Sequence, residues 1–462
     1  MAEKSAIPVE LGTEKIGRLL KQYALPAIIA QTASSLYNMV DSIFIGQGVG
    51  PLAISGLAVT FPLMNLSTAF GTLVGAGAAT MLSVLLGQKN YKAANKVLGN
   101  VVSLNVILGL LFMAVALIFI DPILYFFGAS ENTLPYAKEY IQIILYGNIV
   151  THLYFGLNAA MRSSGNPKKA MALTIFTVVF NTILDPIFIF VFDMGIAGAA
   201  WATVIAQTAA MIVVLKHFSD KSRAFHFEKG IFKLDPRVAK DSLVIGMGPF
   251  LMNAAACLVT LFINQQLRDY SGDLGIGSYG ICNRFIFMFI MICMGLNQGM
   301  QPIAGYNYGA KQYSRVKEVF WMTAKLGTIV TTLCFCIGMF IPRLAAGIFT
   351  HDEALLNMSA EGMRILTIGF PIVGFQMIGT NFFQCLGMVK KSIILSLSRQ
   401  LLFLLPLLYC LPLWMGANGV WMSFPISDVL SAILTAILLR RLFKKFNTLK
   451  DGEESTILGS NL

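Results

Sequence analysis

Three aspartates stand inside otherwise apolar stretches of this chain: Asp41, Asp185 and Asp428. Asp41 closes the series Gln31, Ser34, Asn38, Asp41, whose steps of three, four and three place all four on one helical face. Asp185 closes a matching series, Thr174, Thr177, Asn181, Asp185, and Thr203 and Gln207 share a face at i, i+4. A carboxylate near the bilayer centre costs about 2.5–3.5 kcal/mol, so one that is kept there is a functional-site hypothesis by default. Two carboxylates with an amide oxygen and a hydroxyl form a set of hard oxygen ligands suited to Na⁺. The same two carboxylates, desolvated and repelling one another, can instead carry a proton. A plainer alternative has Asp185 bonding locally at the Pro186 kink and Asp41 at the membrane interface.

The elements that hold these residues follow from composition. Of 462 residues, 56% are hydrophobic and only 12% are charged, far from the roughly 25% charged of a soluble domain. Soluble enzyme, disordered regulator and disulfide scaffold are excluded. Twelve apolar segments can be marked, at about 18–46, 52–86, 97–120, 134–162, 169–192, 195–217, 238–268, 274–306, 319–342, 357–386, 390–412 and 416–441. Each is expected to be a membrane-spanning helix, making an all-α polytopic membrane protein.

The net charge of +11 is mostly topological. Loop Lys and Arg gather at both termini and in the even-numbered loops, while the odd loops hold only Lys138, Arg268 and Arg343. By the positive-inside bias this places both termini in the cytoplasm of a multi-pass plasma (inner) membrane protein. No nucleic-acid partner is expected, and no GxxxxGK[ST] loop for a nucleotide occurs. The seven cysteines lie in apolar runs without CxxC spacing, so neither a disulfide framework nor a zinc site is indicated.

The chain repeats at an offset of about 222 residues. LGQKNYKAANKVL (86–98) lies over YGAKQYSRVKEVF (308–320), SGNPKK (164–169) over LGMVKK (386–391), and Gly195 and Gly198 over Gly416 and Gly419. Six spans per half make the repeat parallel, with two lobes related by a pseudo-two-fold axis along the membrane normal. The expected division is a cytoplasmic segment 1–17, an N-lobe 18–218, a cytoplasmic linker 219–237, a C-lobe 238–441 and a cytoplasmic tail 442–462.

The lobes differ in charge. Asn264 and Leu407 stand in the second half where Asp41 and Asp185 stand in the first. Arg399 and Asp428 are expected to pair between the eleventh and twelfth spans, as a structural ion pair. Pro26 lies within the first span, 15 residues before Asp41, and would serve as a hinge because proline removes a helix hydrogen bond.

In these residues and in five longer motifs, the chain resembles the multidrug and toxic compound extrusion (MATE) family. The resemblance covers about residues 15–445 and rests on YNMVDSIFIG, LGQKNYKAANKVLG, RSSGNPKKA, FNTILDPIFIF and GIAGAAWATVIAQ. It implies a twelve-helix, two-lobe antiporter that exports organic, often cationic, compounds against inward Na⁺ or H⁺ flow by alternating access. It also implies an ion site, a possible Na⁺ site, at Asp41, Asp185, Asn181 and Thr203, with no further cofactor. Another branch of the family uses acidic residues in the seventh and tenth spans. This chain has Asn253 and Asn264 in the seventh and only Glu361 near the start of the tenth.

The expected partners are a small organic substrate and membrane lipid, and the protein is expected to act as a monomer. The first rival is a flippase or exporter of a lipid-linked or other amphipathic precursor, against which the acidic first lobe weighs. The second is a membrane-embedded enzyme. His152, His217, His226 and His351 are scattered and no HExxH, DDxxD or GxSxG occurs, so no enzyme is expected.

Overall fold

The computed structural model describes residues 8–453 apart from 224, 229, 231 and 351, and leaves aside the side chains at 38, 39, 46, 51 and 273. The Asn38 side chain and the chain ends, parts of the expected polar stripe, N-terminal segment and tail, therefore lie outside the described residues.

The secondary structure is helical, with no strand among the described residues. The first span, α1, is Ile16–Gly48; α2 is Pro51–Gly87 and α3 is Tyr91–Ile118. The fourth, α4, has two parts, Leu134–Tyr146 and Asn148–Ser163. In α5, Pro167–Pro186 continues into a π-helical turn, Ile187–Val191, and α6 is Gly195–Ser219. A break at Gly272 separates α7, Pro236–Gly272, from α8, Leu274–Gly309. Then follow α9, Tyr313–Phe340, and α10, formed by Glu353–Thr367 and Phe370–Cys385 bent by 54°. The last two are α11, Val389–Leu397 with a π turn Ser398–Leu404 and Leu405–Met415, and α12, Ala417–Thr448.

Among the described residues, nine of these helices are long and apolar enough to cross a membrane, and counting the bent pair of α10 as one span brings the number to ten. With α1 and α4 the helices follow the twelve apolar segments of the sequence in order. At 1.5 Å per residue the 33 residues of α1 reach roughly 50 Å, well past the hydrocarbon core of about 30 Å.

The repeat is visible in the backbone. Lys89 and Lys311 both adopt positive φ, 59° and 58°, at equivalent turns, and Gly195 and Gly416 share φ of 58° at the starts of α6 and α12. Left-handed backbone suits glycine at the latter two positions and reads as the same turn built twice.

Two units emerge from packing. The first contains residues 29–250 with the N-terminal segment to Thr13; the second contains Glu14–Ile28 and Leu251–Leu462. The division thus runs through α1 and α7, two residues after Pro26 and one after Pro249. In the first unit α6 packs through small residues: Gly198, Ala199, Ala200, Ala202, Ala206 and Ala210 are all buried. In a bilayer, where burial from lipid gains little, such a small-residue face drives association by allowing close helix contact. A Cβ at Gly198 would stand 2.9 Å from the Phe188 carbonyl carbon. This close approach brings Thr203, further along α6, against α5.

Candidate functional site

The two acidic stripes meet inside the first unit. Asp41 of α1 is 5% exposed and Asp185 of α5 is fully buried. They are near enough to interact electrostatically with each other and with the hydroxyls of Tyr37 and Tyr140. Asn181, one turn before Asp185, links the carboxylate to α6. Its Nδ2 donates to Asp185 Oδ2 at 3.0 Å, while its Oδ1 accepts from Thr203 Oγ1 at 3.2 Å and from the Thr203 N–H at 2.9 Å. Thr203 Oγ1 in turn lies 2.9 Å from the Tyr37 hydroxyl. One oxygen of each carboxylate, Asp41 Oδ1 and Asp185 Oδ1, is buried with no hydrogen-bond partner among the described residues. A buried polar atom left unpaired costs about 1–3 kcal/mol, and more when charged, so these two oxygens are sites where a bound cation or proton would be stabilising. With the Asn181 amide, the Thr203 hydroxyl and the Tyr37 hydroxyl beside them, the donors are all hard oxygens.

The sequence supports this geometry locally. Leu36 and Ile43, seven apart on α1, are exposed, which turns the Tyr37 and Asp41 side of the helix inward. Beside the site, Tyr140, Ile189, Ile196, Ala199 and Ala200 belong to one buried apolar cluster. On α5 the π-helical turn begins immediately after Pro186, next to Asp185. A widened turn of this kind is frequent at functional sites.

The remaining predicted residues are placed as follows. Thr177 donates to the Tyr154 hydroxyl at 3.4 Å, and that hydroxyl donates to Thr174 at 3.2 Å. This continues a polar line along α5 below Asn181. Gln207, one turn past Thr203, is hydrogen-bonded by Thr151 of α4. Gln31 and Ser34 are half-buried on α1 and make no hydrogen bond to the carboxylate cluster among the described residues. Pro26 lies inside an unbroken helix, in the part of α1 that packs with the second unit.

Sequence reasoning passed over Tyr37, Tyr140 and Tyr154. Tyr37 was legible, standing four residues before Asp41 on the same face. Tyr140 and Tyr154 sit in α4, where no stripe marks them. Also unflagged is a buried network around His152, whose Nε2 donates to the Ser67 carbonyl at 2.9 Å. Ser67 Oγ hydrogen-bonds Asn148, and Asn148 Nδ2 donates to the Gly109 carbonyl at 3.1 Å. It binds α2, α3 and α4 together.

In the second unit Arg399 Nε donates to Asp428 Oδ1 at 2.6 Å, the pairing expected from sequence. Nearby, Gln376 Nε2 donates to Ser431 Oγ at 3.0 Å, joining α10 to α12.

A family model, MatE, matches residues 26–187 and 249–410, one match in each half of the repeat. The multidrug export protein MepA of Staphylococcus aureus (strain MRSA252) is 28% identical over 426 residues, covering 92% of this chain and 94% of MepA. A solved structure of the MATE multidrug transporter DinF-BH is 37% identical, with a TM-score of 0.88 over 95% of this chain and 98% of that one. An outward-facing MATE family transporter of the MOP superfamily is 22% identical, with a TM-score of 0.90 over 97% of this chain and 100% of that one.

Proposed function

The chain belongs to the MatE family, and we propose that it is a cation-coupled antiporter that exports organic, chiefly cationic, compounds by alternating access. Family membership makes it a multi-pass membrane transporter rather than an enzyme. The named relatives are a multidrug export protein and a multidrug transporter, which supports multidrug efflux here. The observation that carries the coupling is the pair of buried carboxylates, Asp41 and Asp185, each with one oxygen unpaired among the described residues.

In this reading Asp41 and Asp185 take up Na⁺ or H⁺, and Asn181, Thr203 and Tyr37 supply the neutral oxygens around them. Neutralising the pair removes their repulsion and changes how α1 packs against α5 and α6. Pro26 lacks the N–H that would bond back one turn, so α1 bends there in response. The lobes that alternate are residues 18–218 and 238–441, joined by 219–237. Thr177 and Gln207 extend the polar surface on either side. Ion and substrate exchange because each disfavours the conformation the other needs, and that coupling is reciprocal. The protein works as a monomer in the plasma membrane, in contact with lipid, with both termini cytoplasmic and no cofactor beyond the coupling ion.

Thermal unfolding of the purified protein tests the ion site. A ligand bound only by the folded state stabilises it by mass action. Na⁺ titrated at fixed ionic strength, or protons alone, should raise the melting temperature of wild type but not of Asp185→Asn. If neither ion distinguishes the two proteins, the carboxylate site is not the coupling site.

A further inference from the structure

Near the end of α4 the first unit holds a cation that the acidic site does not use, Arg162. The residue is half-buried, and its Nε is shielded from solvent without a hydrogen-bond partner. No carboxylate pairs with it among the described residues. A cation withdrawn from water without a counter-ion is costly, and a charge kept inside a membrane protein at such a cost points to function.

Its position says which function. From Asn181 the polar line runs along α5 to Thr177, which donates to the Tyr154 hydroxyl at 3.4 Å, and on to Thr174, 3.2 Å from that hydroxyl. Asn158, one turn past Tyr154 on α4, is buried and donates by Nδ2 to the Ala170 carbonyl of α5 at 3.1 Å. Arg162 follows at the next step of four, on the same face of α4. Long helical side chains lean toward the start of their helix, and Arg162 is within electrostatic reach of Tyr154. Beyond it the line is covered. Gly165 has φ of 94°, and a Cβ there would stand 2.9 Å from Pro8 Cβ, so the N-terminal segment lies against the turn that follows Arg162.

Polar side chains spaced along two packed helices are a route by which an ion or proton can leave the carboxylates. A fixed positive charge on such a route excludes cations, as arginine does in selective pores. The repeat ties this charge to the acidic site. Position 162 corresponds to 384 at the offset of 222, and Gln384 stands there, in the half where Asn264 and Leu407 replace the two aspartates. The cation is present in the half that has the carboxylates and absent from the half that lacks them.

We propose that Arg162 is an electrostatic barrier that stops the coupling cation from leaking out of the Asp41–Asp185 site along α4 and α5, so that ions cross only with the conformational cycle. This rests on the coupling reading above.

Leak through proteoliposomes without any organic substrate tests it. Na⁺ and H⁺ gradients are imposed separately, and entry is followed with a sodium-selective dye or with pyranine inside the vesicles. Arg162→Gln strands no partner, so it should fold, and melting checks this; Arg162→Met repeats the measurement should the glutamine variant melt early. Leak of the coupling ion should rise about tenfold over wild type. Arg162→Lys, which keeps the charge, should stay tight, and adding Tyr154→Phe to Arg162→Gln should restore tightness by interrupting the line. A neutral variant as tight as wild type overturns the proposal. So does a raised leak that Tyr154→Phe leaves unchanged, which puts the path elsewhere. If Arg162→Gln leaks as expected but no ion gradient drives ethidium out of wild-type vesicles, the coupling reading fails and the barrier stands.

Discussion

The Tyr37 hydroxyl lies 2.9 Å from Thr203 Oγ1, joining residues 166 apart in sequence. Through that contact α1 is tied to α6, and through Asn181 to Asp185 on α5. The carboxylate site is therefore also the joint between three helices, and in the proposed reading a change of charge there changes how α1 packs.

Removing the hydroxyl tests the joint without touching a carboxylate. Tyr37→Phe should weaken the apparent affinity for the coupling ion roughly 3–10-fold, the loss of one hydrogen bond of about 1 kcal/mol, while the protein stays folded. The ion dependence of dye efflux from vesicles measures it. An unchanged dependence would place Tyr37 outside the site.

Thr203→Val goes further, because Thr203 serves both Tyr37 and Asn181. Leaving those buried partners unsatisfied should cost about 1–3 kcal/mol of stability and lower ion affinity more than Tyr37→Phe does. Melting temperature and ion dependence, measured together, check both halves.

Much of this site was readable because a polar side chain in a membrane helix is expensive and therefore conspicuous. The stripes ending at Asp41 and Asp185 announced themselves by spacing, and Arg399 and Asp428 announced each other by opposite charge. Tyr37 was less conspicuous, since tyrosine is at home in an apolar run, although its register with Asp41 marked it. Tyr140 left no trace, for it reaches the site from a helix with no polar stripe. Nor could spacing reveal that α1 and α7 are each shared between the two units near Pro26 and Pro249. Hydropathy marks which face of a helix is buried, not which neighbour buries it.

His152 separates structural from functional polarity. His152→Phe removes the donor to the Ser67 carbonyl and should lower stability by about 1–3 kcal/mol with the ion dependence of efflux unaltered. A shift in ion dependence at unchanged melting temperature would bring His152 into the coupling machinery.

Outside the membrane, the backbone N–H of Arg237, 3.0 Å from Asp235 Oδ1 at the start of α7, holds that carboxyl below its usual range, and Val238 N–H and Lys96 add to it. A group whose folded-state pKa is depressed contributes stability above its unfolded value of about 3.9 and loses it as pH falls through the folded value. Asp235→Asn should therefore melt below wild type at pH 7, and the two should converge at pH values under about 3.9. A gap independent of pH would mean that the charge is irrelevant.

Pro26→Ala restores the helix hydrogen bond that proline withholds. A stiffer α1 should slow turnover several-fold, on the scale of about 1 kcal/mol per factor of five, with ion affinity unchanged. Equal turnover would remove Pro26 as a hinge.

The most direct test loads proteoliposomes with a fluorescent organic cation such as ethidium and imposes a Na⁺ gradient or a pH gradient separately, on wild type, Asp41→Asn and Asp185→Asn. The account predicts gradient-driven dye movement in wild type under at least one ion, and its loss in both variants, whose amides keep the shape of the carboxyl but cannot take the charge. Normal gradient-driven movement in either variant would contradict it.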